Sequence, residues 1–231
     1  MHKFALVTVL FDYPLDYLPR IYNRAIEYMN KDDIYVARFN NLLPLDASYY
    51  EKLYIYKIKY LLEYLKENIA GKYEFMLFVD ATDTNFYKHP STLIGEFLQF
   101  NKSIVFNAEQ ELWPHTSWTY KYENKSRPGP FQYLNSGLYV GYVNSIIYHL
   151  QNIIDSDYAG KVEDQSTWTI EYLLHDDIEI DSHGKLFFSS YKNKSYVSLT
   201  EDNKVVLSIS PYVVHDNGPY TEDTLKITEL L

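Results

Sequence analysis

The run Phe75-Met76-Leu77-Phe78-Val79 ends abruptly on two carboxylates, Asp80 and Asp83. An unbroken apolar run of this length reads as a strand buried on both faces, which points to an open α/β sheet. Ligands of such sheets bind beyond the carboxyl ends of the strands. Two like charges three residues apart at that edge repel unless a cation lies between them. Oxygen ligands suit a hard divalent ion, Mg²⁺ or Mn²⁺, and an ion held this way also grips phosphate. The plainer alternative is that Asp80 or Asp83 caps a turn or the following helix.

The rest of the chain fits the sheet. Phe4–Leu10 and Ile34–Phe39 read as strands, with helical spacing over Leu15–Met29 between them (Leu18, Ile21, Tyr22, Ala25, Met29). That is a βαβ unit, the start of a parallel sheet. A long helix is expected from Tyr49 to Ile69, burying Tyr54, Ile58, Leu61, Leu65 and Ile69, with Gly71 as its C-terminal cap and Lys57 and Lys59 flanking the stripe. Further helices are expected over Ser91–Phe100, Asn144–Ile154 and Glu163–Leu174. Short strands are expected at Ser103–Asn107, Leu138–Tyr142, Ile178–Ile180 and Lys185–Phe188, and a late hairpin from Val205–Leu207 and Tyr212–Val214. The 231 residues show no internal repeat and no low-complexity linker, so residues 1–231 are expected to form one domain.

Polar residues gather where the strands end. Glu109 closes one strand, and Trp113-Pro114 follows as either a core plug or a flat wall for a ligand. The segment Thr116–Gln132, with Lys121, Lys125, Arg127 and Pro128-Gly129-Pro130, lacks periodicity and reads as a lid, an acceptor loop or a surface insertion. Glu163 and Asp164 open a helix, where the helix dipole alone favours acid. His215, after an apolar strand and before a Gly-Pro turn, is well placed as a ligand. The formal charge of −10 argues against nonspecific grip on nucleic acid, which rests on Lys and Arg. The absence of cysteine removes disulfides and thiolate metal sites. The apolar N-terminal run is too short for a membrane span and lacks a cleavage site, so a soluble, cytoplasmic protein is expected.

FVDATD, FNAEQELWP, YLNSG, VEDQ and VHDNGP occur in that order. This set resembles the glycosyltransferase domain of the procollagen lysyl hydroxylases and, more widely, the collagen-type glycosyltransferases, over nearly the whole chain. The resemblance implies a GT-A fold, a Rossmann-like, mostly parallel mixed sheet flanked by helices, that binds a UDP-sugar through Mn²⁺ (or Mg²⁺). It places the metal on Asp80, Asp83 and His215. Donor-site roles fall on Lys57, Thr82, Glu109, Trp113, Asn135, Asn217 and Gly218, and catalytic roles on Asp164 and Glu163. The sequence departs from the family where Thr82 replaces an aromatic residue, where a uracil-stacking Trp is missing and only tyrosines such as Tyr49 are on offer, where Asp216 enters HGNGP, and where the acidic stretch shortens to Glu163-Asp164. The expected activity is metal-dependent transfer of a hexose, glucose or galactose, from a UDP-sugar to a hydroxyl. The acceptor is hydroxylysine of a collagen-like protein, a glycan or a hydroxymethylated DNA base. The other reading is a noncatalytic GT-A-like binding module. A free-standing microbial or viral version is expected.

Overall fold

The computed structural model describes residues 2–14, 16–40, 48–114, 121–122, 125, 128–202, 204–218 and 227–231. Segment 41–47, most of the Thr116–Gln132 loop including Arg127, Pro219 and the side chain of Tyr49 lie outside the described residues.

The chain opens with β1 (Phe4–Phe11), α1 (Arg20–Tyr28) and β2 (Ile34–Phe39). α1 starts five residues later than the periodicity suggests. Pro19 precedes it, and a proline disfavours helical backbone in the residue before it, which excludes Leu18 from the helix. α2 (Tyr49–Tyr54) and α3 (Leu61–Asn68) follow, joined by a π-helical segment over Ile55–Tyr60. The expected single helix is therefore one continuous rod with a widened middle, and Lys57 sits in the widening. Such π segments recur at functional sites. Gly71 adopts the left-handed backbone its capping role requires (φ +74°).

β3 (Phe75–Val79) is wholly buried, and β4 (Thr84–Phe86) follows the two carboxylates. Then come α4 (Leu93–Leu98), β5 (Ile104–Glu109), β6 (Tyr133–Tyr142), α5 (Val143–Asp155), α6 (Asp164–Leu174) and β7 (Ile178–Ile180). The main sheet runs β2-β1-β3-β6-β5-β7. All neighbours are parallel except β6, which lies antiparallel to both β3 and β5. The Leu134-Asn135-Ser136-Gly137 motif is thus inside a ten-residue strand rather than leading into a shorter one. Gly141 permits the close approach to β5, since a Cβ there would lie 2.6 Å from the Ser103 carbonyl oxygen.

Side chains alternate across this sheet into two cores. Ala5, Val7, Met76 and Phe78 pack with α3, α5 and α6. Phe4, Leu6, Phe75, Leu77 and Val79 pack with α1 and α4. The result is a three-layer α/β/α arrangement, the GT-A type expected.

β8 (Phe187–Ser189), β9 (Val197–Leu199), β10 (Val205–Leu207), β11 (Val213–His215) and the short α7 (Ile227–Leu230) complete the described elements. The expected late hairpin does not form. β10 pairs with β9, whereas β11 lies between β4 and β8. Val213 and Val214 are both fully buried, so β11 needs cover on both sides and neighbours on both edges; β10 exposes Val206 and suits a two-stranded ribbon. Among the described residues no helix is long and apolar enough to cross a membrane.

Candidate active site at the carboxyl edge of the sheet

β3 delivers Asp80 to the edge of the main sheet, and the tight link to β4 carries Asp83. The Asp80 backbone N–H donates to the Gly137 carbonyl (2.8 Å), and Thr84 Oγ1 donates to the Asp80 carbonyl (2.5 Å), which fixes the turn. The β4–β11 register places His215 opposite Thr84, and the Asp216 N–H donates to the Asp83 carbonyl (2.8 Å). A residue from far down the chain is thereby brought to the two aspartates. His215 Nε2 lies 3.3 Å from Asp83 Oδ2 and 3.8 Å from Asp80 Oδ2. His215 Nδ1 faces Asn135 Oδ1 at 3.1 Å. Asn135 Oδ1 also accepts from the Gly137 N–H at 3.0 Å, so it presents an acceptor and holds the proton on Nδ1. Nε2 is then left to ligate, the usual arrangement of a metal-binding histidine.

The three groups fit a divalent ion. Two carboxylate oxygens and one imidazole nitrogen lie within 4.8 Å of one another. The space is kept open by Gly137, where a Cβ would fall 2.2 Å from His215 Cε1 and 2.9 Å from Asp80 Oδ2.

Charge balance in the triad is tight. Burial pushes Asp80 above the usual aspartate range, opposed by Lys57. Burial would raise Asp83 too, but His215 and Lys57 outweigh it and hold Asp83 low. Burial would depress His215, yet Asp83 and Asp80 keep it above an ordinary histidine. Lys57 Nζ reaches Asp80 Oδ1 at 2.6 Å and Asp164 Oδ2 at 3.6 Å. Ser136 Oγ donates to Asp164 Oδ2 at 2.9 Å.

A cleft of about 710 Å³ opens over these groups. Lys57, Asp80, Asp83, Glu109, Trp113, Asn135, Asp164, His215, Asn217 and Gly218 all line it. Trp113 is 47 % exposed there, so it is no core plug. Glu109 accepts from Gln165 Nε2 (3.1 Å) and Asn217 Nδ2 (2.6 Å), yet burial still pushes it up to about 7. Two sequence candidates stand outside the lining. Glu163 is the N-cap of α6, and its carboxylate accepts from the Ser166 N–H (2.9 Å) and hydroxyl. Thr82 is exposed and shares a side-chain hydrogen bond with Tyr13, which stacks on Tyr17. Asp216, the acid added to the His-Asn-Gly-Pro motif, faces away: Oδ2 accepts from the Thr228 N–H and hydroxyl, both at 2.7 Å. Ser136, Gly137 and Gln165 were not singled out from sequence, although each lies inside a motif that was.

Comparison with known proteins agrees with this geometry. The profile described as the PLOD GT domain matches residues 54–228. An uncharacterized protein of Acanthamoeba polyphaga mimivirus is 28 % identical over 127 residues, covering 53 % of this chain and 26 % of that protein. Procollagen-lysine,2-oxoglutarate 5-dioxygenase 1 of Gallus gallus is 24 % identical over 176 residues, and that of Mus musculus 24 % over 174, each covering 71 % of this chain and 23 % of the relative. The matches thus span about a quarter of these relatives' lengths. In three dimensions the chain resembles the crystal structure of a glycosyltransferase involved in glycosylation of the major capsid of PBCV-1, with a TM-score of 0.56, 9 % identity and 94 % coverage of both chains. With the family profile spanning most of its length and its motif residues gathered at one sheet edge, this chain belongs to the PLOD GT domain family.

Proposed function

We propose that this chain, acting as a single domain, is a metal-dependent glycosyltransferase that moves a hexose from a UDP-sugar to an acceptor hydroxyl. The observation that carries the reading is the convergence of Asp80, Asp83 and His215 with Lys57 and Asp164 in one cleft. A nitrogen ligand beside two carboxylates favours Mn²⁺ over Mg²⁺. When bound, the ion offsets the negative charge that grows on the departing diphosphate.

The chain's own groups supply the rest. Lys57, released from Asp80, adds a second positive centre for the diphosphate. Asn217, held by Glu109, presents its amide beside it. Trp113 forms the flat wall for the sugar, and Asn135, Glu109, Gly218 and Gln165 shape the polar floor. Tyr13 and Thr82 offer the nucleoside a ring and a hydroxyl in place of the family's aromatic residues. Asp164 Oδ2, steered by Ser136, takes the proton from the acceptor hydroxyl, and Glu163 holds Asp164 in place by capping its helix.

The test is a panel of nucleotide-sugars scored for released UDP, run beside thermal melts. The reading expects UDP to raise Tm only when Mn²⁺ is present, with slow hydrolysis of at least one UDP-sugar. Silence across UDP- and GDP-sugars, with no metal-linked nucleotide binding, overturns it in favour of a noncatalytic module.

A further inference from the structure

We infer that the chain carries a second divalent-metal site, of zinc type, formed by His149 on α5 with Glu171 and His175 on and after α6. It lies at the opposite end of α6 from the cleft and has no part in the chemistry proposed above. The three ligand atoms lie within 4.8 Å of one another. Glu171 Oε2 stands 2.8 Å from His149 Nδ1 and 3.3 Å from His175 Nε2. Zinc ligands at about 2.0–2.1 Å in a tetrahedron stand roughly 3.3 Å apart. Two of the three separations are therefore close to ligand spacing before any ion enters.

The surroundings assign each atom a task. Tyr158 donates to Glu171 Oε1 at 2.5 Å, which leaves Oε2 for the two imidazoles. Asp177 Oδ2 lies 3.2 Å from His149 Nε2. His149 therefore stands between two carboxylates, with Nδ1 on the buried Glu171 and Nε2 on Asp177. Two acids around one imidazole call for positive charge, which a bound cation or an added proton supplies. A carboxylate behind a histidine is the pattern that orients and strengthens a metal ligand. His149 and Glu171 are buried, while the side chains of His175 and Asp177 are 33 % and 47 % exposed, so an ion has a route in. Two imidazoles and a carboxylate suit zinc better than calcium or magnesium.

Such an ion would staple α5 to α6. α6 has eleven residues, about 16 Å at helical rise. Its first residue is Asp164, and its C-cap is His175. The second site thus anchors the helix that presents Asp164 to the cleft.

The experiment uses the full chain, stripped with chelator, carrying Asp83→Asn to disable the first triad. Zn²⁺ is titrated by calorimetry, and Co²⁺ replaces it for visible spectroscopy. One equivalent of zinc should bind, raise Tm and give the intense band of tetrahedral cobalt. His175→Ala, at the most exposed imidazole, should weaken zinc more than about tenfold, and Asp177→Asn about tenfold. If the Asp83→Asn chain binds no zinc, or binds it equally well with His175→Ala, the cluster is a protonated histidine between acids and the proposal fails. Failure of the donor panel above would leave this result untouched.

Discussion

Lys57 Nζ lies 2.6 Å from Asp80 Oδ1, so one of the three proposed metal ligands carries an internal counter-ion. The side chains are only 13 % and 20 % exposed. Lys57 both neutralises Asp80 and repels an incoming divalent ion, but it attracts a diphosphate. Lys57→Met should therefore separate the two affinities. Mn²⁺ alone should bind as well as before or better, while UDP in the presence of Mn²⁺ should weaken about tenfold or more, roughly 1.4 kcal/mol. Calorimetry with each ligand in turn checks the split. Equal losses in both would mean that Lys57 merely supports the fold.

Gly137 gives a second, steric test. A methyl group here would collide with His215 Cε1 and Asp80 Oδ2, both of which belong to the triad. Gly137→Ala should push the imidazole off its carboxylates, cost on the order of 1–3 kcal/mol in stability as overpacking does, and abolish the Mn²⁺-linked rise in Tm with UDP. Far-ultraviolet circular dichroism should stay native. A variant that keeps metal-linked nucleotide binding would show that His215 does not ligate.

Much of this site was legible in the sequence because strand ends carry their own punctuation. Asp80, Asp83, Glu109 and His215 each follow or close an apolar run, and the resemblance supplies the role of Lys57. What the sequence left open depended on pairing between distant segments. The register of β11 against β4, which brings His215 to Asp83, has no local signature, and the expected hairpin with Val205–Leu207 was wrong for that reason. The motif Leu134-Asn135-Ser136-Gly137 reads as the lead-in to a strand because its small polar residues mask a strand that is buried on both faces. Glu163 and Asp164 are neighbours with different surroundings: the helix start turns one carboxylate back on Ser166 and leaves the other facing Ser136 and Lys57. Asp216, the carboxylate added to the His-Asn-Gly-Pro motif, binds Thr228.

Glu109 should leave a mark on the pH dependence of stability. Its carboxyl is 5 % exposed, and burial raises it from 4.5 to about 7. A group that holds its proton more tightly when folded stabilises fully below its unfolded pKa, and that stabilisation is lost as pH rises through the folded value. Between about pH 4.5 and 7 the folded chain should therefore lose on the order of 3 kcal/mol from this group alone. Glu109→Gln should flatten that slope. One of the two accepted hydrogen bonds, from Gln165 or Asn217, is lost in the exchange, at about 1 kcal/mol. Urea unfolding across the window measures both effects, and an unchanged slope would refute the assignment.

Metal binding should show the opposite pH trend at His215. Without metal, the imidazole is held above its ordinary value of 6.5 by Asp83 and Asp80 against the effect of burial. The stability it contributes is present below 6.5 and is lost as pH rises through the raised folded value. A metal needs the same nitrogen unprotonated, so its affinity should climb over that range. Asp83, held low, stays ionised throughout and contributes no slope near neutrality. The gap in Tm between the chain with Mn²⁺ and UDP and the chain alone should thus widen from about pH 6 to about pH 8. His215→Asn should shrink the gap and remove its pH dependence, whereas Asp216→Asn should lower both melting curves together, because Asp216 spends its carboxylate on Thr228 and none on the ion. If Asp216→Asn altered the gap as His215→Asn does, the ligand set would have to be redrawn around the other carboxylate.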